Sequence, residues 1–187
     1  MSAEILLTKQ GLWTLADLDG LPDDGRRYEI IDGSLLVSPP PSNYHQLLAF
    51  ELASLLRSAQ PAGYRVLSPG SVALGPGNYR QPDVLLLAET AVGRGQPLAA
   101  GPEDVLLAVE VMSPGSVTED RITKPAMYAR AGIEHYWRLE PDADRLTLHV
   151  YRLAGNVYAE TALVRDEQRV DIIEPLRLSL TPSQLRG

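Results

Sequence analysis

The sequence predicts an α+β domain, within the broader α/β class, built around one mixed β-sheet. A run of leucines with helical spacing covers about residues 43–60. Two nearly continuous apolar runs, at 83–88 and 105–112, are typical of central strands that are covered on both faces. The segment from about 141 to 187 has the pattern of an antiparallel extension. The order of helix, strands, helix and strand before this extension favours a mixed sheet with helices packed against it.

The N-terminal part predicts a short helix followed by a β-hairpin. Residues 13–19 have a helical pattern with Thr14 in the N-cap position. Asp32-Gly33 separates two apolar runs and is a signal for a two-residue hairpin turn. Folding this hairpin pairs Glu29 with Leu36. This is an unusual position for a carboxylate, because the strand is otherwise apolar.

A long helix and several strands are predicted after the hairpin. Ser42 or Asn43 is expected to cap the helix. Pro61 and Gly63 are expected to end it after about Gln60. The strand candidates that follow are residues 64–67, 72–74, 83–88 and 105–112.

A second helix is predicted after the turn that follows Met112. Ser116 and Glu119 have the spacing of a capping box, a pair of side chains that satisfies the free amides at a helix start. Pro125 is expected to interrupt the helix, because proline disfavours the helical conformation of the residue before it. Gly132 is expected to end it.

A strand at 134–139 and a hairpin at 146–164 are expected after the second helix.

The length of the chain fits a single domain. The chain has 187 residues, and domains of about 100–200 residues are usual. We therefore expect residues 1–187 to form one domain, with a core over about 26–140 and a C-terminal β extension over about 141–187.

Composition excludes several kinds of chemistry. The chain has no cysteine, which rules out disulfides, a thiol nucleophile and cysteine-bound metal centres, and leaves oxygen and nitrogen ligands. It has no apolar run long enough to span a membrane and no signal-peptide pattern, so we expect a cytoplasmic protein without a membrane partner. The net charge of −7 opposes strong adhesion to nucleic acid, although a local basic patch can still bind phosphate.

Two carboxylates stand at the ends of the central strand candidates. Glu110 lies inside the apolar run 105–112, where an uncompensated charge would cost several kcal/mol. Asp83 opens the other apolar run. If the two strands are neighbours, both carboxylates converge at one end of the sheet, and hard oxygen ligands of this kind suit Mg²⁺ or Mn²⁺. The alternative is that Glu110 reaches solvent or an arginine, and that Asp83 is an ordinary turn residue.

Lys124 is distinctive because the chain uses arginine almost everywhere else. Of the 17 basic residues only Lys9 and Lys124 are lysines. An ammonium group can exchange a proton with water, which a guanidinium cannot do, and this favours a functional role for Lys124. The alternative is an ion pair with Asp120, four residues earlier on the same helix face, worth only about 0.2–0.5 kcal/mol on an exposed surface.

The histidines and the known short motifs do not indicate a function by themselves. His45 is expected in the first turn of the long helix, either as an exposed residue or as a ligand or phosphate contact. His135 and His149 lie in strand candidates and are interpreted as structural. The sequence contains no nucleotide-binding glycine motif, no GxSxG and no HExxH.

Four segments resemble the bacterial putative restriction endonuclease domain family, a branch of the PD-(D/E)XK nuclease superfamily. They are YEIIDGSLLVSPPPSNYHQ from Tyr28, QPDVLLL from Gln81, LAVEVMSPGS from Leu107 and DRITKPAMYARAGIEHYWRLE from Asp120. The resemblance covers most of the chain. It implies a restriction-endonuclease-like core of a helix, three strands, a helix and a strand.

The resemblance also implies a site. In that superfamily two acidic residues bind a divalent metal, and a lysine helps to activate or position water. The positions that match here are Asp83 and Glu110, with Mg²⁺ or Mn²⁺ as the implied cofactor. Met112 stands in the usual lysine position, and Lys124 matches members in which the lysine has moved to the next helix. Glu29 and His45 match further polar positions of the family.

The residues and the resemblance together favour metal-dependent hydrolysis of a DNA phosphodiester. The carbonyl of Val111 would complete the metal ligands, and Lys124 would orient the attacking water or stabilise the developing charge. One alternative is a nuclease fold used for binding or regulation without catalysis, which the charge of −7 and Met112 favour. Another is a hydrolase of a small phosphorylated molecule.

Arginines near these residues are candidate phosphate contacts, since phosphate contacts position nucleic acid without reading its sequence. Arg80 precedes Asp83 and Arg121 precedes Lys124, while Arg26-Arg27 precedes the first hairpin strand. We also expect a homodimer or higher homo-oligomer, because the long helix and the C-terminal hairpin leave apolar and strand-edge surface that a second copy would cover.

Overall fold

The computed structural model describes residues 10–93, 95 and 98–187, and Lys9 lies outside this part of the chain. Within it, the strands form three sheets, and two α-helices pack against the largest. These elements are β1 (Arg27–Ile31), β2 (Ser34–Ser38), α1 (Asn43–Ser58), β3 (Tyr64–Leu67), β4 (Val72–Gly75), β5 (Asn78–Arg80), β6 (Val84–Ala88), β7 (Val105–Val111), α2 (Lys124–Arg130), β8 (His135–Asp142), β9 (Arg145–Ala154), β10 (Val157–Arg165), β11 (Val170–Ile172) and β12 (Leu178–Leu180).

The largest sheet is mixed, as the sequence predicts. Its six strands lie in the order β10-β9-β8-β7-β6-β3. Only the pair β7–β8 is parallel, and α2 lies in the connection between these two strands. The order α1, β3, β6, β7, α2, β8 is the expected core of a helix, three strands, a helix and a strand, so the fold class is confirmed.

Both faces of the central strands are covered, which explains their nearly continuous apolar sequences. Alternate residues of a strand point to opposite faces of the sheet. Leu86 of β6 shares one buried cluster with Leu52 of α1. Its neighbour Leu85 shares a second cluster with Tyr128 of α2. A strand between two such layers has no polar face.

The N-terminal hairpin forms a second sheet with two further strands, in the order β2-β1-β5-β4. The hairpin has the predicted register, in which Glu29 is opposite Leu36, and Asp32 adopts a positive φ of 47° in the turn. The strand expected at 72–74 is present, but it belongs to this sheet and not to the large one. The short strand β5 was not predicted, because its three residues follow a Pro-Gly turn and carry no alternating pattern.

The start of the second helix differs from the sequence prediction. Ser116 and Glu119 do not form a capping box. The Ser116 hydroxyl donates to the Asp120 carboxylate, and Glu119 accepts from Arg80. A π-helical turn, Glu119–Thr123, leads directly into α2, and Pro125 lies in the first turn of this α-helix, where proline is tolerated.

The C-terminal extension continues the large sheet and covers α1. Strands β9 and β10 form the expected hairpin, and β9 pairs with β8 along its length. The terminal segment adds the small pair β11–β12 and a 3-10 turn, Pro182–Arg186, whose Leu185 joins the core cluster beneath α1. No helix in the described residues has the length and apolar character needed to cross a bilayer.

Candidate active site

Two neighbouring antiparallel strands bring Asp83 and Glu110 together. In the pairing of β6 with β7, Val84 is opposite Val109. Extending this register by one residue places Asp83, which immediately precedes β6, opposite Glu110 near the end of β7. Both side chains are buried, with 2% and 0% of their residues' surfaces exposed. The convergence of two carboxylates at one end of the sheet is therefore present.

The two oxygens of Asp83 have different surroundings. Oδ2 accepts a hydrogen bond of 2.7 Å from the backbone N–H of Val111 and lies 3.2 Å from His45 Nε2. Oδ1 lies 2.6 Å from Nη1 of Arg27. Burial by itself would raise the pKa of Asp83, but the hydrogen bond from His45 and the charge on Arg27 hold it below its ordinary value. Asp83 is therefore a carboxylate at neutral pH.

Glu110 binds two groups from the second helical segment. Its Oε2 lies 2.8 Å from Nζ of Lys124, and its Oε1 accepts a hydrogen bond of 2.6 Å from the Tyr128 hydroxyl. Burial raises the pKa of Glu110 to about 8, and the neighbouring carboxylates add to this effect while the charge on Lys124 opposes it. Glu110 therefore holds a proton more tightly than an ordinary glutamate does.

Lys124 lies between two buried carboxylates. Its Nζ is 2.8 Å from Glu110 Oε2 and 2.8 Å from Asp120 Oδ1. Burial would lower the pKa of Lys124, but these two negative charges outweigh it and raise the pKa above its ordinary value. The expected pair with Asp120 is therefore present, but it is buried and shared with Glu110 and is not a solvated surface contact.

Glu29 is held from two sides and lies next to the two strand carboxylates. Its Oε2 is 3.2 Å from Nη1 of Arg80, and its Oε1 accepts a hydrogen bond of 2.8 Å from the backbone N–H of Gln81. Arg80 is fully buried and also pairs with Glu119 at 3.1 Å. The structure therefore differs from the phosphate contact expected at Arg80, because this guanidinium has no exposed surface and its charge is used inside the protein.

His45 connects α1 to the end of β7. Only 9% of the residue is exposed, so it is not a solvated helix-start histidine. Its Nε2 is 2.8 Å from the carbonyl oxygen of Val111 and 3.2 Å from Oδ2 of Asp83. Both partners are acceptors, so Nε2 carries the proton. His45 thereby holds the Val111 carbonyl and the Asp83 carboxylate in fixed positions.

Arg121 is exposed and follows Asp120, whose carboxylate binds Lys124. Its side chain is 48% exposed and pairs with Glu140 at 2.6 Å. Sequence reasoning missed the contact between Arg27 and Asp83, because the two residues are far apart in the chain. It also missed Tyr128, although this residue is four positions after Lys124 and so lies on the same helix face.

The donor set suits a hard divalent cation with few protein ligands. Among the described residues there is no group of three or more His, Asp or Glu side chains arranged to hold a metal ion. Mg²⁺ commonly keeps several waters and binds one or two carboxylates. The pair Asp83 and Glu110, with the carbonyl of Val111 beside them, fits that mode of binding. Asp83 Oδ1 has the Arg27 guanidinium as its partner, at 2.6 Å.

The mixed sheet with its two helices, and the buried carboxylates beside a lysine at one end of it, are those of a protein with a nuclease fold. The model of the Uma2 family, described as a putative restriction endonuclease, matches residues 15–183. The chain belongs to this family. No protein of curated function matches the sequence.

A solved structure has the same fold. The crystal structure of a putative nuclease from Anabaena variabilis superimposes with a TM-score of 0.66 and 18% sequence identity. The match covers 93% of this chain and 97% of that chain. At this level of identity the likeness concerns the fold.

Proposed function

We propose that this protein is a metal-dependent endonuclease that hydrolyses DNA phosphodiester bonds, with Asp83, Glu110 and Lys124 as its catalytic residues. The observation that supports it best is the contact between Lys124 Nζ and Glu110 Oε2, at 2.8 Å. Glu110 lies opposite Asp83 in the extended register of the strand pair. Two acidic residues and a cation that meet at one sheet edge are the parts that phosphodiester hydrolysis requires.

Asp83, Glu110 and the carbonyl of Val111 would hold Mg²⁺ or Mn²⁺. When bound, such an ion lowers the pKa of a water molecule and neutralises charge on the phosphate. His45 fixes the carbonyl and one Asp83 oxygen in advance, which reduces the reorganisation that binding needs. Glu29 supports the same region by anchoring Arg80 and the backbone before Asp83.

Lys124 would act as a cation and not as a base. Its raised pKa keeps the ammonium charged at neutral pH. A charged ammonium donates hydrogen bonds, so it orients the attacking water or stabilises negative charge that develops on the phosphate. Arg121, which is exposed near this helix, would contact a neighbouring phosphate of the DNA.

Plasmid cleavage with Mg²⁺ or Mn²⁺ tests the proposal. Wild type should nick or linearise the plasmid, and Asp83→Asn and Glu110→Gln should each be inactive. Asp171→Asn is the matched control, because that carboxylate is 75% exposed on β11. Cleavage that survives both site substitutions, or wild-type inactivity with every metal and substrate used, would contradict the catalytic role.

A second candidate function is a nuclease fold that binds without catalysis. It is favoured by the net charge of −7 and by Met112 in the usual lysine position. Isothermal titration with Mn²⁺ separates the two, since a binding module has no need of a metal held by Asp83 and Glu110. Parallel assays with a small phosphomonoester and a phosphodiester test the third possibility, a hydrolase of small phosphorylated molecules.

We also propose that the protein forms a homodimer through α1. Three large apolar side chains lie on the outer side of this helix, with exposures of 42% for Tyr44, 37% for Leu47 and 64% for Phe50. Phe50→Glu should convert the dimer to a monomer in light scattering after gel filtration. Ile173→Glu is the control, because Ile173 is equally exposed, at 70%, on the C-terminal extension. A wild-type monomer would contradict the proposal.

A further inference from the structure

The cations of the carboxylate cluster are not held equally. Lys124 bridges Glu110 and Asp120, each at 2.8 Å. Arg80 likewise bridges two glutamates. In the described part of the chain, Arg27 has one ion pair, to Oδ1 of Asp83 at 2.6 Å. Arg27 is therefore the cation that loses the fewest contacts if it leaves.

The Asp83 oxygen that Arg27 contacts is the one that neither the backbone nor His45 holds. Oδ2 is held by the backbone N–H of Val111 and by His45, both parts of the fixed frame of the sheet and α1. Oδ1 has the Arg27 guanidinium, 2.6 Å away, as its partner. An incoming cation that binds Asp83 must therefore compete with Arg27 for this oxygen.

Arg27 also has access to water. Its side chain is 22% exposed, compared with 10% for Lys124 and 0% for Arg80. Removing a cation from a buried carboxylate is costly unless another cation replaces it. The partly exposed guanidinium of Arg27 can move into solvent while a metal ion takes its place. Lys124 and Arg80 are more deeply buried and have less access to solvent.

We propose that Arg27 is a built-in counter-cation, which neutralises Asp83 until a divalent metal ion displaces it. The metal ion and Arg27 then compete for the same carboxylate, so that binding of the metal releases Arg27 from Asp83. The apparent affinity for the metal is reduced by the strength of the contact between Arg27 and Asp83. In the absence of metal, Arg27 balances the negative charge of the buried Asp83. This inference rests on the proposed metal-dependent function, because it concerns the same carboxylate.

Isothermal titration of the full-length protein with Mn²⁺ measures this competition. Arg27→Gln should bind Mn²⁺ about tenfold more tightly than wild type, which corresponds to about 1.4 kcal/mol. Arg26→Gln is the control: it removes the same charge one residue away, where the arginine pairs with Asp24 outside the site. Arg26→Gln should therefore retain the wild-type affinity, and this separates local competition from a general change in charge.

A measurement on the wild-type protein does not depend on the folding of a variant. In protein labelled with ¹⁵N-arginine, addition of Mg²⁺ should shift the side-chain Nε–H signal of Arg27. It should also speed the exchange of this signal with water, and leave the signal of the buried Arg80 unchanged. A signal of Arg27 that does not respond to saturating Mg²⁺ would overturn the inference.

The outcomes separate the inference from the proposed function. Equal or weaker Mn²⁺ binding by Arg27→Gln overturns the inference, and leaves the nuclease proposal standing if wild-type binding depends on Asp83. Binding by Arg27→Gln alone overturns the inference, because no metal then displaces Arg27 in the wild type, and it also contradicts a metal-dependent wild-type enzyme. Absence of binding by both proteins overturns both.

Discussion

Lys124 Nζ lies 2.8 Å from Glu110 Oε2, and this contact joins α2 to the central strand β7. It brings an ammonium group to the carboxylates although Met112, two residues after Glu110, carries no charge. The parallel connection from β7 to β8 passes through α2, so the helix begins close to the end of the strand that precedes it. A lysine in the first position of this helix can therefore reach the same carboxylates, at the end of the central strands, as a lysine on the strand would.

Lys124→Arg should be nearly as inactive in plasmid cleavage as Lys124→Ala. The ammonium fits a buried space between two carboxylates at 2.8 Å, and a planar guanidinium is larger and has a different donor geometry. Circular dichroism must show that both variants are folded. Activity of Lys124→Arg within a factor of two of wild type would contradict a requirement for the ammonium.

Glu110 should make the stability of the metal-free protein fall as the pH rises. Its pKa is about 8 in the folded protein and 4.5 in its ordinary state, so the folded form retains a proton that the unfolded chain has released. The stabilisation associated with this proton is full below pH 4.5 and is lost as the pH approaches and passes 8. The melting temperature in EDTA, measured from pH 5 to 9, tests this expectation.

Glu110→Gln is the reference for that measurement. His135, whose pKa is lowered by burial, also titrates in this range, but with the opposite effect on stability. Because both proteins contain His135, the difference between their melting curves isolates Glu110. The wild type should lose stability relative to Glu110→Gln as the pH rises. A constant difference would show that Glu110 has an ordinary pKa.

Removal of Arg80 should be strongly destabilising. The side chain is fully buried and pairs with Glu29 and Glu119, so Arg80→Ala leaves a buried carboxylate without its cation, a change that costs about 3–5 kcal/mol. Arg65→Ala, which breaks an exposed pair with Glu89, should cost at most about 1 kcal/mol. Urea denaturation monitored by tryptophan fluorescence gives both values, and similar costs for the two variants would contradict a buried charge network.

Arg121 should contribute to DNA binding through phosphate. Arg121→Gln should weaken binding and reduce the slope of log K against log salt by about 0.9, the value for one phosphate contact. Arg152→Gln is the control, because its side chain has the same exposure of 48% but lies at the opposite end of β8, in register with His135. Fluorescence anisotropy with Ca²⁺ in place of Mg²⁺ measures binding without cleavage. An unchanged slope for Arg121→Gln would exclude this contact.

Local patterns predicted most of the fold. The Asp32-Gly33 turn determined the register of the first hairpin, since two residues that accept positive φ permit one tight turn. The apolar runs identified β6 and β7, because a strand covered on both faces has no polar side. The same reasoning missed β5 and did not predict the second sheet, to which β4 and β5 belong. Short strands take their partners from the tertiary structure and not from their own sequence.

The sequence by itself determined that Glu110 and Lys124 needed explanation, since one is a carboxylate in an apolar strand and the other a rare lysine. Only the tertiary structure decided their partners. In the folded protein Arg80 forms a buried ion pair with Glu29, and Arg27 forms an ion pair with Asp83. These pairs join residues that are far apart in the chain. The energy of a buried charge depends on which opposite charge the fold brings within a few ångströms, and that distance is not a property of any local segment.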